Sequence, residues 1–492
     1  MPNLWADPSW WDPPAIWPRR LLHIQTMTSL ERQKGNIYGD QKEPQYSILT
    51  YTWGRWQTDR VPAIEIKGTT WKIPAVEEKH FTVANFHRVT QQMGKQTEYA
   101  WIDVACIDQE NRAVKMEEVG RQVGIFKQAH RVFVWLNGLE PSDLEHCLNE
   151  IFVKSPKLGS AQLADDISKH LQSLTKTMET LFSDPWFSSL WTLQESVLRR
   201  DAIILNRDGE PVPLRYTKGE ALLAILANSC VNVYSDLSRI CGECESHSEP
   251  SIRLTAEKLQ AIIEAAGLHF LYSSNPNIQY GVAHFRKTSY PLDRMYGIMQ
   301  IYGLQLGESR QANEKPTVEQ LEEEFAKELI LRWPVLSQMF THRTAPPRGK
   351  NWRITQNSRV PDEVKVYRQP SVLGFHATPS HGWPPASEIP LCHISVDLSG
   401  QVNIKGKSWL FRDLVKYWRG DRWFNSRQNI MLDESDQIRE RIPTRLAQFN
   451  LRPDDRQHEL GNYLVDLFGE SNLVWFLVGE SREGNTLVGF WA

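Results

Sequence analysis

The stretch that decides the fold is Tyr99-Ala-Trp-Ile-Asp-Val-Ala-Cys-Ile107, taken together with Arg131-Val-Phe-Val-Trp-Leu136. Both runs are short, apolar and rich in aromatic and β-branched residues, which predicts two buried strands. Between them Val119, Val123 and Phe126 recur at helical spacing. A strand, a helix and a strand in this order form a βαβ unit, in which the two strands are parallel.

The neighbouring segments extend this pattern. Tyr46-Ser-Ile-Leu-Thr-Tyr-Thr-Trp53 predicts a further buried strand that stops at Gly54. Arg20–Ile24 and Ala202–Leu205 predict shorter strands, and Ser188–Arg199 predicts a helix. The expected fold class is therefore α/β, with a parallel sheet flanked by helices. Such sheets bind ligands beyond the carboxyl ends of their strands.

The chain has 492 residues, which is more than a single hydrophobic core normally organises. Composition suggests four segments. Residues 1–45 are rich in Trp and Pro, 46–210 form the α/β core, 211–340 form a helical region, and 341–492 form a smaller, mixed β-rich module.

Composition also excludes several classes of protein. A net charge of −3 gives no reason to expect a nucleic-acid partner. No run of about 18 apolar residues occurs, so no membrane span is expected, and the N-terminus lacks a signal-peptide pattern. Six Cys at irregular spacing favour reduced thiols and a cytoplasmic location.

Polar and small residues gather where the predicted strands end. We expect a ligand site built from these positions, and the candidates are Thr52, Trp53, Gly54, Asp103, Asp108 and Gln109. A second interpretation is open for the two aspartates, because Asp ahead of a helix often caps the helix or forms a turn. Gly54 either allows a close ligand approach or simply turns the chain.

Four blocks stand in a fixed order: Tyr46–Gly54, Trp101–Gln109, Trp186–Glu195 and Pro291–Gly297. Together they resemble the fungal heterokaryon-incompatibility (HET) domain, over roughly residues 20–300. This family triggers programmed cell death when genetically different fungal cells fuse. It is distantly related to TIR domains, which are flavodoxin-like signalling modules that assemble into scaffolds or, in some members, hydrolyse NAD.

The resemblance implies two functions of different kinds. One is a signalling protein that acts by self-association or by binding another signalling protein, without a cofactor. The other is an NAD glycohydrolase with NAD as its substrate, because Trp191-Thr-Leu-Gln-Glu195-Ser resembles the TIR helix that carries the glutamate needed for NAD cleavage.

Glu195 suits this chemistry on its own terms. A fixed carboxylate can hydrogen-bond ribose hydroxyls and stabilise the positive charge that develops as nicotinamide leaves. The indole rings of Trp53, Trp101 or Trp191 are expected to stack on nicotinamide or adenine. The alternative is that both residues have structural roles. Glu195 would pair with a nearby Arg, and Gln194, which lies in the middle of the apolar arc of its helix, would brace a loop.

Two departures from the family pattern bear on activity. Ser189 stands where the family has Arg, and Asp108 stands where Asn is usual. If the Arg of the family binds phosphate or an acidic partner, this chain is expected to have lost activity unless Arg55 or Arg199 compensates.

No metal site is expected. Cys241-Gly-Glu-Cys244 is followed by His247, but a structural zinc ion needs four ligands and no second pair has suitable spacing. We expect a flexible loop there, and we expect Cys106 to be a buried structural residue. The functional hypothesis then depends on Gly54, Asp103 and Glu195 meeting at one edge of the sheet.

Overall fold

The computed structural model describes residues 16–360 and, beyond them, seven strands. Within 16–360 it leaves out 162–163, 217, 247–249, 272–275, 312–313, 334–335, 339, 343–349, 351 and 356–357. The chain divides into two compact units. The first holds Asp12–Tyr272 and Val282–Pro316, and the second holds Ser273–Gly281 and Thr317–Ala492.

The first unit is built on a six-stranded mixed sheet with the order β2-β1-β4-β3-β5-β6. Its strands are β1 (Arg20–His23), β2 (Thr28–Glu31), β3 (Tyr46–Thr50), β4 (Tyr99–Trp101), β5 (Arg131–Trp135) and β6 (Ile203–Leu205). Strands β3 to β6 are parallel, whereas β1 and β2 add an antiparallel edge. The predicted α/β class is confirmed.

Strand β3 lies at the centre of the parallel part. All five of its residues are buried, because β4 and β5 flank it and helices cover both faces of such a sheet. In the register, Ser47 pairs with Ala100 on one side, and Ile48 pairs with Val132 on the other. The carboxyl ends of β3, β4 and β5 therefore open at the same edge.

Helices surround the sheet and then dominate the chain up to residue 332. In the described residues they are α1 (Val83–Gly94), α2 (Asp103–Cys106), α3 (Arg112–Val119), α4 (Gln122–Gln128), α5 (Pro141–Ser160), α6 (Ala164–Phe182), α7 (Leu190–Leu198), α8 (Leu223–Ser246), α9 (Pro250–Ala266), α10 (Pro276–Ala283), α11 (Asp293–Met299) and α12 (Val318–Arg332). The predicted helical region is thus confirmed. None of the helices in the described ranges is both long and apolar enough to cross a membrane.

Two predicted strands end earlier than expected. Strand β3 ends at Thr50 rather than Trp53, and β4 ends at Trp101 rather than Ile107. Directly after β4 the chain forms the short helix α2. The carbonyl of Ile102 accepts the N–H groups of Ala105 and Cys106, each at 2.9 Å, and these bonds close the first turn. Asp103 therefore begins a helix instead of lying within a strand, and its carboxyl group accepts the N–H of Val104 at 2.8 Å.

The second unit contains α12 and an antiparallel sheet of five strands, Ser408–Leu410, Ile430–Leu432, Tyr463–Asp466, Trp475–Ser481 and Gly484–Trp491. His393–Val396 and Val402–Lys405 form a separate hairpin. These strands agree with the β-rich character expected of residues 341–492. The segment boundaries at residues 45, 210 and 340 stay predictions.

Candidate functional site

Glu195 lies on the second turn of α7 and meets the end of β3. Trp186 Nε1–H donates to Thr50 Oγ1 at 2.9 Å, and the Thr50 hydroxyl donates to the Glu195 carboxyl group. Burial raises the pKa of Glu195 to about 8, with a further upward contribution from the negative charge of Asp103. Glu195 is thus a carboxyl group that holds its proton at neutral pH.

Asp103 is the second carboxyl group at this edge. Trp53 Nε1–H donates to its Oδ2 at 2.6 Å, and the amide side chain of Gln109 donates to its backbone carbonyl at 3.2 Å. Burial raises the pKa of Asp103, whereas the Trp53 and Val104 N–H groups lower it. The two N–H donors favour the ionised form of Asp103, so the environments of Asp103 and Glu195 differ.

A third carboxyl group comes from α11. Asp293 Oδ2 accepts Trp191 Nε1–H at 3.2 Å and the Thr288 hydroxyl at 3.0 Å. Burial raises the pKa of Asp293, and the positive charge of Lys115 lowers the pKa of both Asp293 and Asp103. Lys115 is therefore within electrostatic reach of both groups. We call Asp103, Glu195 and Asp293 the acidic cluster.

Gln194 is fully buried and links three elements. Its side-chain amide donates to Gln122 Oε1 at 2.6 Å on α4, and its own oxygen accepts the backbone N–H of Gln300 at 3.0 Å. Burial of an amide group costs little free energy when both its N–H and its oxygen are hydrogen-bonded, and the bonds hold together the elements that they join. The predicted bracing role of Gln194 fits this arrangement. The partner of Glu195 is Thr50, not the Arg that the structural alternative expected.

Ser189 stands where the family pattern has Arg, and Arg55 bonds to the segment that pairs with it. The N–H of Lys287 donates to Ser188 O at 2.7 Å, and Lys287 O accepts Arg55 Nη2–H at 3.0 Å. The guanidinium of Arg55 thus bonds to Lys287, the residue that pairs with Ser189. Arg199 lies at the other end of α7.

Arg199 is committed elsewhere. Its guanidinium pairs with both oxygens of Asp201 at 2.7 and 2.8 Å and also donates to the carbonyls of Phe126 and Ala129. Of the two predicted replacements, Arg55 is the one that the fold places near position 189.

A buried arginine that the motifs do not include holds the start of α7. Arg286 is 1% exposed and donates to the backbone carbonyls of Trp186 at 3.0 Å, Ser189 at 3.3 Å and Ala266. Burial lowers its pKa to about 9. Trp186 donates to Thr50, and Thr50 donates to Glu195. Arg286 therefore supports the position of Glu195 through its bond to the carbonyl of Trp186.

His80 is a second residue that sequence reasoning missed. It is buried at the ends of β3 and β5, where its Nε2–H donates to Thr52 O at 2.6 Å and its ring stacks on Trp56 with centroids 3.8 Å apart. Burial lowers the pKa of His80 to about 4, so the ring is neutral. No local pattern around His80 signals this position.

Several predicted site residues contact other groups than the acidic cluster. Trp101 is 1% exposed and packs edge-on against Phe126 at 5.9 Å, so the expectation that its ring stacks on a ligand is not supported. Thr52 faces His80 at 3.2 Å. Asp108 accepts the N–H groups of Glu110 and Asn111, each at 3.0 Å, which is the turn-forming role that the alternative interpretation proposed.

Gly54 and the cysteines complete the comparison with the predictions. Gly54 is exposed directly after Trp53, and a β-carbon added there would meet no other atom within 4 Å, so both interpretations of Gly54 stay open. Burial raises the pKa of Cys106 to about 12, which fits a structural thiol. Cys241 and Cys244 lie within helix α8, so the predicted loop is wrong there. Among the described residues no group of three His, Cys, Asp or Glu side chains is placed to hold a metal ion.

The first three of the four blocks converge, although through Trp53 rather than through Gly54, which the hypothesis had named. Trp53, Asp103 and Glu195 meet at the carboxyl edge of β3 and β4, and Trp191 joins the fourth block through Asp293. Residues 46–195 match the sequence model of the family described as heterokaryon incompatibility protein (HET). The comparison with curated proteins gave no match, and neither did the comparison with solved structures.

Proposed function

We propose, from the premise that residues 46–195 form a heterokaryon-incompatibility domain, that this chain is a cytoplasmic signalling protein of the programmed-cell-death type. It acts by associating with itself or by binding another signalling protein. The observation that carries the proposal is that the family match begins and ends on the blocks that pack together, from β3 to Glu195 on α7.

An exposed aromatic pair beside this site supports a protein partner. Phe285 is 51% exposed and Tyr290 is 69% exposed. Between them, Lys287 pairs with the segment around Ser189. Aromatic residues are enriched at association surfaces relative to the rest of a protein surface.

Induced expression in a fungal host tests the signalling role. We expect wild-type protein to arrest growth or kill the cells, and we expect Phe285→Ser combined with Tyr290→Ser to weaken this effect without loss of folding. Tyr216→Ser is the matched control, because Tyr216 is also 69% exposed. Cells that grow normally at high wild-type expression would contradict the proposal.

A second candidate function is NAD glycohydrolysis, and the pair of Asp103 and Glu195 favours it. In this reaction the bond between nicotinamide and ribose C1′ breaks, water adds to C1′, and the products are nicotinamide, ADP-ribose and a proton. Asp103 would stabilise the oxocarbenium-like ribose, and Glu195, once ionised, would hydrogen-bond the ribose hydroxyls. Trp53 and Trp191 supply indole rings at the same edge for stacking.

Incubation of the purified protein with NAD tests this activity, with nicotinamide release followed by chromatography. We expect turnover to rise with pH through about 8, because the Glu195 carboxyl group must lose its proton first. Glu195→Gln should abolish turnover, whereas Asp108→Asn should retain it, since Asn can form the same turn. An absence of turnover even at protein concentrations that force assembly would reject the enzyme and leave the signalling role intact.

A further inference from the structure

A cleft of about 440 Å³ lies in the first unit, away from the residues of the acidic cluster. Three arginines from separate parts of the chain line it: Arg32 follows β2, Arg121 separates α3 from α4, and Arg310 lies beyond α11. Trp17 and Gln305 are further lining residues. We call this feature the arginine cleft.

Two of the arginines converge on one atom. Arg32 Nη1–H donates to the backbone carbonyl of Trp17 at 3.1 Å, and Arg121 Nη2–H donates to the same oxygen at 2.9 Å. This carbonyl is neutral, so it supplies no counter-charge to either guanidinium group. Both charges also reach Tyr38, whose pKa they lower against the larger effect of burial.

The acidic side chains nearby balance Arg121 rather than Arg32. Glu118 lies 3.4 Å and Glu117 lies 3.8 Å from Arg121, and Glu117 also lies 4.0 Å from Arg19. In the described part of the chain no carboxyl group lies within ion-pair distance of Arg32. Arg32 therefore lacks a carboxylate partner among the described residues, whereas Glu117 and Glu118 both pair with Arg121.

We propose that the arginine cleft binds the phosphate groups of a small phosphorylated ligand. Arg32 is the principal contact, because its guanidinium group keeps donors that the Trp17 carbonyl does not use, and Arg310 lines the same cleft. Guanidinium groups bind phosphate oxygens through paired, charge-assisted hydrogen bonds. The cleft volume falls within the range of small-molecule sites, roughly 300–1,000 Å³.

Titration calorimetry on the full chain tests the proposal, with inorganic pyrophosphate, ADP and adenosine as probes. We expect saturable binding of pyrophosphate and of ADP that weakens as salt is raised. We expect no binding of adenosine. If ADP binds more tightly than pyrophosphate, the ligand includes a nucleoside that packs against the Trp17 side of the cleft.

Variants assign the binding to the cleft. Arg32→Gln and Arg310→Gln should each weaken the binding of pyrophosphate about tenfold, which corresponds to about 1.4 kcal/mol. Arg60→Gln, at an exposed arginine outside the cleft, should leave it unchanged. Unfolding temperatures without ligand establish that the variants are folded.

Two results would overturn the proposal. One is an absence of saturable binding of both pyrophosphate and ADP to the wild-type protein. The other is equal weakening by Arg60→Gln and Arg32→Gln, because this would trace the binding to net surface charge.

Discussion

The acidic cluster and the arginine cleft carry opposite charges, and the fold provides for them in different ways. Each carboxyl group of the acidic cluster has an indole or hydroxyl donor from the chain, as with Trp53 on Asp103 and Thr50 on Glu195. In the arginine cleft, two guanidinium groups share one neutral acceptor, the carbonyl of Trp17.

The difference separates two kinds of polar site. A buried charge that has its partners within the chain is part of the folded frame, so its removal disturbs stability. A guanidinium group that has more N–H donors than there are acceptors around it contributes little to the stability of the fold. Its remaining donors are available to a ligand. Four substitutions test this distinction, from the largest expected effect to the smallest.

Substitution of Arg286, which supports the acidic cluster, should lower the free energy of unfolding most strongly. Arg286→Leu removes a buried guanidinium and leaves the carbonyls of Trp186, Ser189 and Ala266 without this donor. We expect a loss of about 3–5 kcal/mol in the free energy of unfolding, measured by urea titration. The control is Arg60→Leu at an exposed position, which should stay within about 0.5 kcal/mol. Equal effects of the two substitutions would refute the framing role of Arg286.

Removal of one indole donor should have an intermediate effect. Trp53→Phe deletes the N–H that holds Asp103 and keeps most of the ring. We expect a loss of about 1.5–3 kcal/mol at pH 7, the range for a hydrogen bond to a charged group. Trp56→Phe is the matched control, since Trp56 stacks on His80 and a phenyl ring can still stack there. If both variants lose the same stability, the Trp53 N–H is not what matters.

The proton on Glu195 should make stability fall as pH rises. Below pH 4.5 both the folded and the unfolded chain hold this proton, and between about 4.5 and 8 the folded chain alone retains it. The stabilisation is therefore complete at low pH and is lost as pH passes through about 8.

Glu195→Gln should flatten this dependence and make the variant about 1–2 kcal/mol more stable than wild type at pH 8. Unfolding curves between pH 5 and pH 9 measure the effect. Glu110→Gln, at an exposed position, should keep the wild-type slope. A variant Glu195→Gln with the same slope as wild type would mean that another group carries the proton.

The smallest effect is expected in the arginine cleft without ligand. Arg32→Gln should change the free energy of unfolding by less than about 0.5 kcal/mol, since Arg32 is partly exposed and its one side-chain bond in the cleft is to a neutral carbonyl. Urea titration in phosphate-free buffer measures it. A loss above about 1 kcal/mol would make Arg32 a structural residue and would remove the contrast between the two regions.

Much of the fold was predictable because its signals are local. The run from Tyr46 to Thr50 and the run from Arg131 to Trp135 are apolar over the length of a strand, and burial on both sheet faces requires such a run. The end of β4 was not predictable in the same way, because Val104, Ala105 and Cys106 are apolar in either conformation. Only the hydrogen bonds to the carbonyl of Ile102 distinguish the helix from a strand.

The candidate site was predictable to the extent that its residues lie in short motifs. Trp53, Asp103 and Glu195 each stand in such a block. Asp293 also stood in one, but its contact with Trp191 spans 102 residues of sequence. His80 and Arg286 lie outside every block, so no pattern marked them.

The sequence by itself determined that this chain forms a parallel sheet with helices, and that the ends of its strands carry carboxyl groups and tryptophans. Hydrophobic period and residue type act over a few neighbours, and this suffices for strands and helices. The strand order, the raised pKa of Glu195 and the meeting of Arg32 with Arg121 at one carbonyl depend on segments far apart in the chain. Only the tertiary structure decided these features, because burial and electrostatic interaction depend on distance in space.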